Sequence, residues 1–211
     1  DNGKRLAFAS DLIARKLEAS IVTLETHIAP SPAREAAIAK AHDSIERLAR
    51  EPFAEISQLL QLEGVCAYTY FTAWRAIELR WTGLTRNPIP DAWREYTNRS
   101  SILTGIKHKK WKASHPLNAM LNYGYAVKAA QLQVRALSDG YDPAIGIMHH
   151  TRKDFPAFAY DLIEPERPMV DAAILEFVSK RSFAAVDFII RKDGVCRLSP
   201  QLARAVALAV V

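Results

Sequence analysis

A long helix is predicted by the stretch His115-Pro116-Leu117-Asn118-Ala119-Met120-Leu121-Asn122-Tyr123-Gly124-Tyr125-Ala126. Pro116 suits the first position of a helix, because proline has no N–H to donate and its φ is already helical. The apolar pattern continues to about Leu137, where Asp139-Gly140 ends it. His115 stands where it serves either as a cap of this helix or as a contact to a phosphate. The segment favours a helical fold.

Helical patterns also cover most of the rest of the chain. Further helices are predicted at about residues 6–28, 32–50 and 53–81, after the histidine pair near 149, and after Ser199-Pro200. Residues 83–115 are expected to form a long basic loop, and residues 187–198 a β-hairpin that turns at Asp193-Gly194. We therefore expect an all-α, multi-helix catalytic domain over residues 1–211, with one small β-hairpin near the C-terminus.

The composition is that of a folded protein, with 49% hydrophobic and 24% charged residues among 211. It has no run of about 18 apolar residues that would cross a membrane, and its N-terminus has no signal-peptide pattern. Cys66 and Cys196 lack metal-ligand spacing, so we expect a reducing, cytoplasmic location. The net charge of +5 is compatible with a polyanionic partner without identifying one.

Two acidic residues and a histidine are concentrated in one short segment. Asp161 and Glu164 are three residues apart, so on a helix they share a face. Two such carboxylates repel each other unless a proton or a cation lies between them. A divalent metal with His149 as third ligand satisfies this requirement. The alternative is a pair of surface acids with salt-bridge partners such as Arg152 or Arg167.

A second signal is the stretch from Arg99 to Lys112 within the long loop, which contains several basic residues and no acid. Cations beside Trp111 can neutralise DNA phosphates while the ring stacks on an unpaired base. A solvated loop remains the alternative, and no helix-turn-helix or zinc-finger pattern is present. The candidate DNA-binding residues are Arg99, Lys107, Lys109, Lys110 and Lys112.

Four blocks in series resemble the helical catalytic domain of the CRISPR-associated integrase family, which inserts new spacers into CRISPR arrays. They are residues 62–71, 115–126, 142–149 and 161–171, in the family's order. The similarity extends from about Leu6 to the C-terminus. No counterpart of the family's N-terminal β domain is found, so the expectation is the catalytic part alone.

The resemblance implies a metal-dependent DNA endonuclease and integrase, which inserts spacer DNA into the CRISPR array by phosphodiester transesterification. It implies that Glu63, His149 and Glu164 bind Mn²⁺ or Mg²⁺, with Asp161 close to the metal as a fourth catalytic residue. His150 is an alternative to His149 as the ligand. Glu63 is alternatively a solvated glutamate, although its apolar neighbours require a cation or strong donors if it is buried.

The implied partners are double-stranded DNA, as protospacer and as CRISPR array, a second copy of the chain and a small CRISPR-associated subunit. Two other functions remain open: an integrase of a mobile element from the same superfamily, and a non-catalytic helical DNA-binding module. The aromatic residues that follow Glu63 are expected in the core rather than at a ligand. They are Tyr68, Tyr70, Phe71 and Trp74.

Overall fold

The structure, a computed structural model, describes residues 2–83, 85–97, 99, 113–149 and 155–211, and within these ranges the fold is helical. The elements are α1 (Asn2–His27), α2 (Pro32–Arg50), α3 (Ile56–Thr72), α4 (Pro116–Ser138), α5 (Ala157–Ile163), α6 (Arg167–Lys180), β1 (Phe188–Ile190), β2 (Cys196–Leu198) and α7 (Pro200–Val210). The predicted all-α class with one hairpin is confirmed. Among the described helices, none combines the length and apolarity that a membrane crossing requires.

The chain divides into two compact units. The first contains the described residues of 1–73 and 127–169, and the second those of 74–126 and 170–211. Each unit is described by itself below. The single domain expected over residues 1–211 stays a prediction.

The core of the first unit lies among α1, α2 and α3. Its apolar cluster includes Ile13 and Leu59, both 0% exposed, together with Met148 from the loop before α5. Each fully buried side chain of this size contributes roughly 1.5–3 kcal/mol to folding. As predicted, α2 begins at Pro32, and the Ser31 hydroxyl accepts a hydrogen bond from the Arg34 N–H at 3.2 Å.

The third helix is shorter than predicted, at Ile56–Thr72 instead of residues 53–81. At its start, the Gln58 side chain accepts a hydrogen bond from the Glu55 N–H at 3.2 Å and so caps the helix there. Beyond Ala76 the backbone has other partners: the Phe183 N–H donates to the Arg80 carbonyl at 2.7 Å, and the Thr82 N–H donates to the Phe183 carbonyl at 2.8 Å. Because these groups pair with a distant segment, they do not extend the helix.

The hairpin of the second unit has the predicted position. Phe188 pairs with Leu198 and Ile190 with Cys196 in the antiparallel register, and Gly194 has a φ of 76° in the turn. Such a positive φ suits glycine because it has no Cβ to collide with the backbone. The Phe188 ring stacks on Trp81 with a centroid distance of 6.2 Å. Packing of this kind stabilises a two-stranded hairpin, whose stability in isolation is marginal.

His115 caps α4 from inside the second unit. Its Nδ1 accepts a hydrogen bond from the Leu117 N–H at 3.2 Å, and its Nε2 lies 3.3 Å from the Trp93 carbonyl. This pattern requires the neutral ring with the proton on Nε2. Burial lowers the pKa of His115 to about 4, which the hydrogen bond to Trp93 only partly counteracts. Of the two roles considered for this residue, the structure shows the cap.

We expect the buried ring to make the protein less stable in mild acid. Between pH 6.5 and about 4 the unfolded chain protonates His115 and the folded chain does not, so the free energy of unfolding falls as the pH is lowered. The contribution is about 3 kcal/mol over this window. Urea denaturation of the parent and of His115→Asn, which keeps a side-chain acceptor for the helix, measures it. Equal pH dependence of the two proteins would contradict the assignment.

Candidate active site

Glu63 lies at the edge of the buried face of α3. With 100° per residue, it is about 40° around the helix from Leu59, which is 0% exposed. Its side chain is 20% exposed, and Oε1 lies 2.5 Å from Nζ of Lys16 in α1. Lys16 is one helical turn from Leu12 and Ser20, both buried, so its ammonium is carried toward the interior. The partner cation that burial of Glu63 requires is therefore a lysine of the chain itself.

Glu164 follows the last residue of α5 and begins the turn Glu164–Glu166 that separates α5 from α6. Pro165 lies within this turn, between the two helices. The Glu164 side chain is 9% exposed, with Oε2 at 2.6 Å from the Lys16 Nζ. Its other oxygen, Oε1, lies 3.1 Å from Nε of Arg167, one of the salt-bridge partners considered from the sequence. The Lys16 ammonium thus binds both glutamates. Because it contacts Oε1 of Glu63 and Oε2 of Glu164, these two oxygens lie close to each other.

The charged forms of Lys16 and Glu164 stabilise each other. Burial raises the pKa of Glu164, but Lys16 and Arg167 outweigh it, and the pKa falls to about 2. Burial lowers the pKa of Lys16, while Glu164 and Glu63 more than offset this effect and raise it above its usual value. Both groups are therefore charged at neutral pH, which makes the hydrogen bonds between them charge-assisted and strong.

Asp161 organises the loop that precedes α5. Its carboxylate is 0% exposed and accepts hydrogen bonds from three consecutive backbone N–H groups. Ile147 donates to Oδ2 at 2.5 Å, Met148 donates to Oδ2 at 3.1 Å, and His149 donates to Oδ1 at 2.9 Å. Gly146 makes the turn possible, because a Cβ there would lie 2.3 Å from the His149 carbonyl oxygen. Asp161 and Glu164, three residues apart, therefore bind different groups.

His149 is oriented by the same carboxylate. Its Nδ1 lies 2.7 Å from the Asp161 Oδ1, so Nδ1 carries the proton and donates it to the hydrogen bond. Nε2 is left as the nitrogen with a lone pair, in the arrangement that commonly prepares a histidine for a metal. The ring is 33% exposed. His150, the alternative ligand, lies outside the described residues.

A divalent ion fits this donor set in part. Two carboxylates and an imidazole suit Mn²⁺ or Mg²⁺, and the carboxylates already converge on a cation. The described part of the chain nevertheless contains no cluster of three His, Cys, Asp or Glu side chains arranged around a common metal position. In this geometry the Lys16 Nζ lies between the carboxylates of Glu63 and Glu164. The His149 ring is hydrogen-bonded to Asp161.

The comparisons with known proteins identify the family. The family model described as "CRISPR associated protein Cas1" matches residues 1–210. The chain belongs to the Cas1 family. CRISPR-associated endonuclease Cas1 2 of Rhodospirillum rubrum is 31% identical over 193 residues, which are 88% of this chain and 50% of that protein. CRISPR-associated endonuclease Cas1 1 of Methanospirillum hungatei is 28% identical over 158 residues, 74% of this chain and 41% of that protein.

Solved structures share the Cas1 fold of this chain. A structure described as "Casposase bound to integration product" matches with a TM-score of 0.75 at 23% identity, over 100% of this chain and 55% of that one. The "Partial Cas6-RT-Cas1--Cas2 complex" matches with a TM-score of 0.75 at 18% identity, over 98% and 56%. The chain spans about half or less of the length of the curated relatives that it matches.

Most of the predicted DNA-binding residues of this Cas1-family chain lie outside the described residues; these are Lys107, Lys109, Lys110 and Lys112. Arg99 is described. Its Nη2 donates to the Asn122 Oδ1 at 2.6 Å, and its guanidinium lies 5.5 Å from the centre of the Tyr125 ring. These contacts connect Arg99 to α4 in the second unit. Its role in binding DNA stays a prediction.

Two features of the Cas1-family site differ from the sequence analysis. Lys16 was missed, although a lysine within the buried stripe of an amphipathic helix is a signal that it needs a buried partner. Tyr68 was expected in the core, but the residue is 67% exposed. It lies nine residues after Leu59 and so on the opposite face of α3. Tyr70 and Trp74 are buried as expected.

Proposed function

We propose that this chain is the catalytic part of an integrase that acts in CRISPR adaptation. In this reaction a DNA 3′-hydroxyl attacks a phosphodiester of the CRISPR array, a new phosphodiester forms, and the existing P–O bond breaks to release a 3′-hydroxyl of the array strand. With water in place of the 3′-hydroxyl, the same site acts as an endonuclease. Membership of the Cas1 family supports the reaction class. The observation that carries the proposal is the convergence of Glu63 and Glu164, from distant parts of the chain, on one cation position.

The proposed cofactor is Mn²⁺ or Mg²⁺, with Mn²⁺ the better match to a site that contains an imidazole. Glu63 and Glu164 would hold it through the oxygens that now bind Lys16, and His149 through Nε2. When bound, such an ion supplies positive charge to the phosphate and lowers the barrier to phosphoryl transfer. Three protein ligands leave room for phosphate oxygens.

The other residues act by positioning. Asp161 keeps the proton of His149 on Nδ1, which leaves the lone pair of Nε2 on the side of the ring away from Asp161. Met148, 5% exposed in the core of the first unit, anchors the loop that carries the ring. Arg167 remains beside Glu164 as a fixed positive charge. The lysines at 107–112 would hold the DNA strand in line, which matters because displacement of about 1 Å costs up to ~100-fold in rate.

The proposed substrates are a protospacer fragment and the CRISPR array, both double-stranded DNA, and the proposed working form is a dimer joined to a small partner subunit in the cytoplasm. The structures with the same fold include complexes whose descriptions name Cas1 with Cas2. This supports a Cas2-like subunit as the partner.

The test is cleavage of branched and supercoiled DNA by the purified chain. We expect nicking with Mn²⁺ or Mg²⁺, none with EDTA, and at least a ~100-fold loss in Glu63→Ala and His149→Ala. Glu46→Gln, which neutralises an exposed glutamate of α2, is the matched control. Cleavage by both alanine variants at the parent rate would refute the site. DNA binding without turnover would favour the non-catalytic module.

The mobile-element integrase is a second candidate, favoured by the likeness to the casposase structure. Both candidates use the same chemistry, so cleavage does not separate them. Strand transfer of a short duplex into a plasmid does: preference for a target with CRISPR repeats supports spacer insertion, and transfer without regard to the repeats supports the mobile element.

A further inference from the structure

Lys16 is a charged residue of the candidate site. The proposed metal chemistry assigns it no role. Its side chain is only 14% exposed, and its ammonium donates to Glu63 at 2.5 Å and to Glu164 at 2.6 Å. An ammonium so far from water is stable only with close anionic partners. Two carboxylates this close to each other, in turn, need a cation between them. The three groups therefore stabilise one another in the absence of a metal.

The position of the ammonium is also the position that a metal would need. Coordination bonds from carboxylate oxygens to Mg²⁺ or Ca²⁺ are about 2.0–2.6 Å long, close to the distances from Nζ to the two glutamates. A divalent ion and an ammonium cannot both occupy the space between the same two oxygens, because they would overlap and repel each other. Lysine has a flexible four-carbon stem, so its head group can move while its backbone stays in α1.

We propose that Lys16 is an internal counter-ion of the metal site, which holds Glu63 and Glu164 together in the metal-free protein and must leave when the divalent ion binds. The inference rests on the proposed function. It adds that the chain's own cation competes with the metal. Binding of the ion then includes the cost of breaking two short, charge-assisted hydrogen bonds, and the apparent affinity for metal is lower than the two carboxylates alone would provide.

The test is Mn²⁺ binding without DNA, followed from the loss of the electron paramagnetic resonance signal of free Mn²⁺. Lys16→Met keeps the length of the stem and removes the charge. We expect it to bind Mn²⁺ at least about tenfold more tightly than the parent, a factor within the range of competing equilibria in proteins. Its melting temperature without metal should fall, and it should rise more on addition of Mn²⁺ than that of the parent. Lys16→Arg, which keeps the charge, should not gain affinity.

The outcomes separate this inference from the proposed function. If Glu63→Gln and Glu164→Gln bind Mn²⁺ as the parent does, the metal site itself is wrong. If those variants lose binding while Lys16→Met binds no more tightly than the parent, the metal site stands and the role of Lys16 is refuted. Should Lys16→Met be unfolded without metal, folding on addition of Mn²⁺ supports the inference, and failure to fold with Mn²⁺ overturns it.

Discussion

Glu164→Gln is expected to lower metal-dependent DNA cleavage by at least ~100-fold, because the amide keeps the shape of the side chain but not the charge that would bind the ion. The loss should persist at every assay pH above 5, since Glu164, with a pKa of about 2, is already fully ionised there. Rates under single-turnover conditions with Mn²⁺ measure the effect. A parallel titration with Mn²⁺ should show weaker binding.

The control for this variant is Glu176→Gln, which removes a carboxylate from an exposed ion pair with Lys180 on α6. It should cleave DNA at the parent rate. Cleavage by Glu164→Gln within a few fold of the parent would exclude Glu164 from the metal site, whereas loss in both variants would indicate a general effect of charge.

Asp161→Asn is expected to lower the free energy of unfolding by about 3 kcal/mol. Each carboxylate oxygen accepts two hydrogen bonds: Oδ2 from Ile147 and Met148, and Oδ1 from the backbone and ring of His149. An asparagine can satisfy one of these pairs with its oxygen. Its NH₂ group then faces the donors of the other pair, which are left buried without an acceptor. Urea denaturation measures the difference.

Asp139→Asn is the matched control, since the Asp139 carboxylate forms an exposed ion pair with Arg135 whose loss should change stability little. Asp161→Asn should also reduce cleavage, because one side-chain oxygen cannot both accept from the N–H groups of Ile147 and Met148 and hold the proton of His149 on Nδ1. A destabilisation below ~0.5 kcal/mol, the ordinary range for surface substitutions, would show that the loop does not depend on this carboxylate.

The helices were predictable because their ends carry local signals. Ser31 with Pro32, Pro116, and Ser199 with Pro200 mark starts that the structure confirms. The end of α3 was not predictable in this way. Residues 77–81 have a helical apolar pattern, but their backbone pairs with Phe183, about a hundred positions later in the chain. No local pattern encodes such a partner.

The sequence selected two glutamates that come together in the structure but did not predict the groups that they contact, and their role as metal ligands stays a prediction. The four sequence blocks selected Glu63 and Glu164, and the structure brings their carboxylates to one lysine. The helical spacing of Asp161 and Glu164 predicted a common target, whereas Asp161 binds the backbone of residues 147–149. That arrangement depends on the turn at Gly146, and a loop conformation is not visible in a spacing pattern.

The four side chains that meet around Glu164 balance electrically. Lys16 and Arg167 carry two positive charges, and Glu63 and Glu164 two negative ones. The excess of +5 on the whole chain therefore resides elsewhere on it. Salt weakens the attraction between separated, exposed charges far more than it weakens partly buried contacts of 2.5–3.1 Å. Rising ionic strength should therefore weaken the binding of a polyanion while leaving this neutral quartet intact. Under the proposed function, binding of nucleic acid and catalysis would therefore depend on different sets of charges.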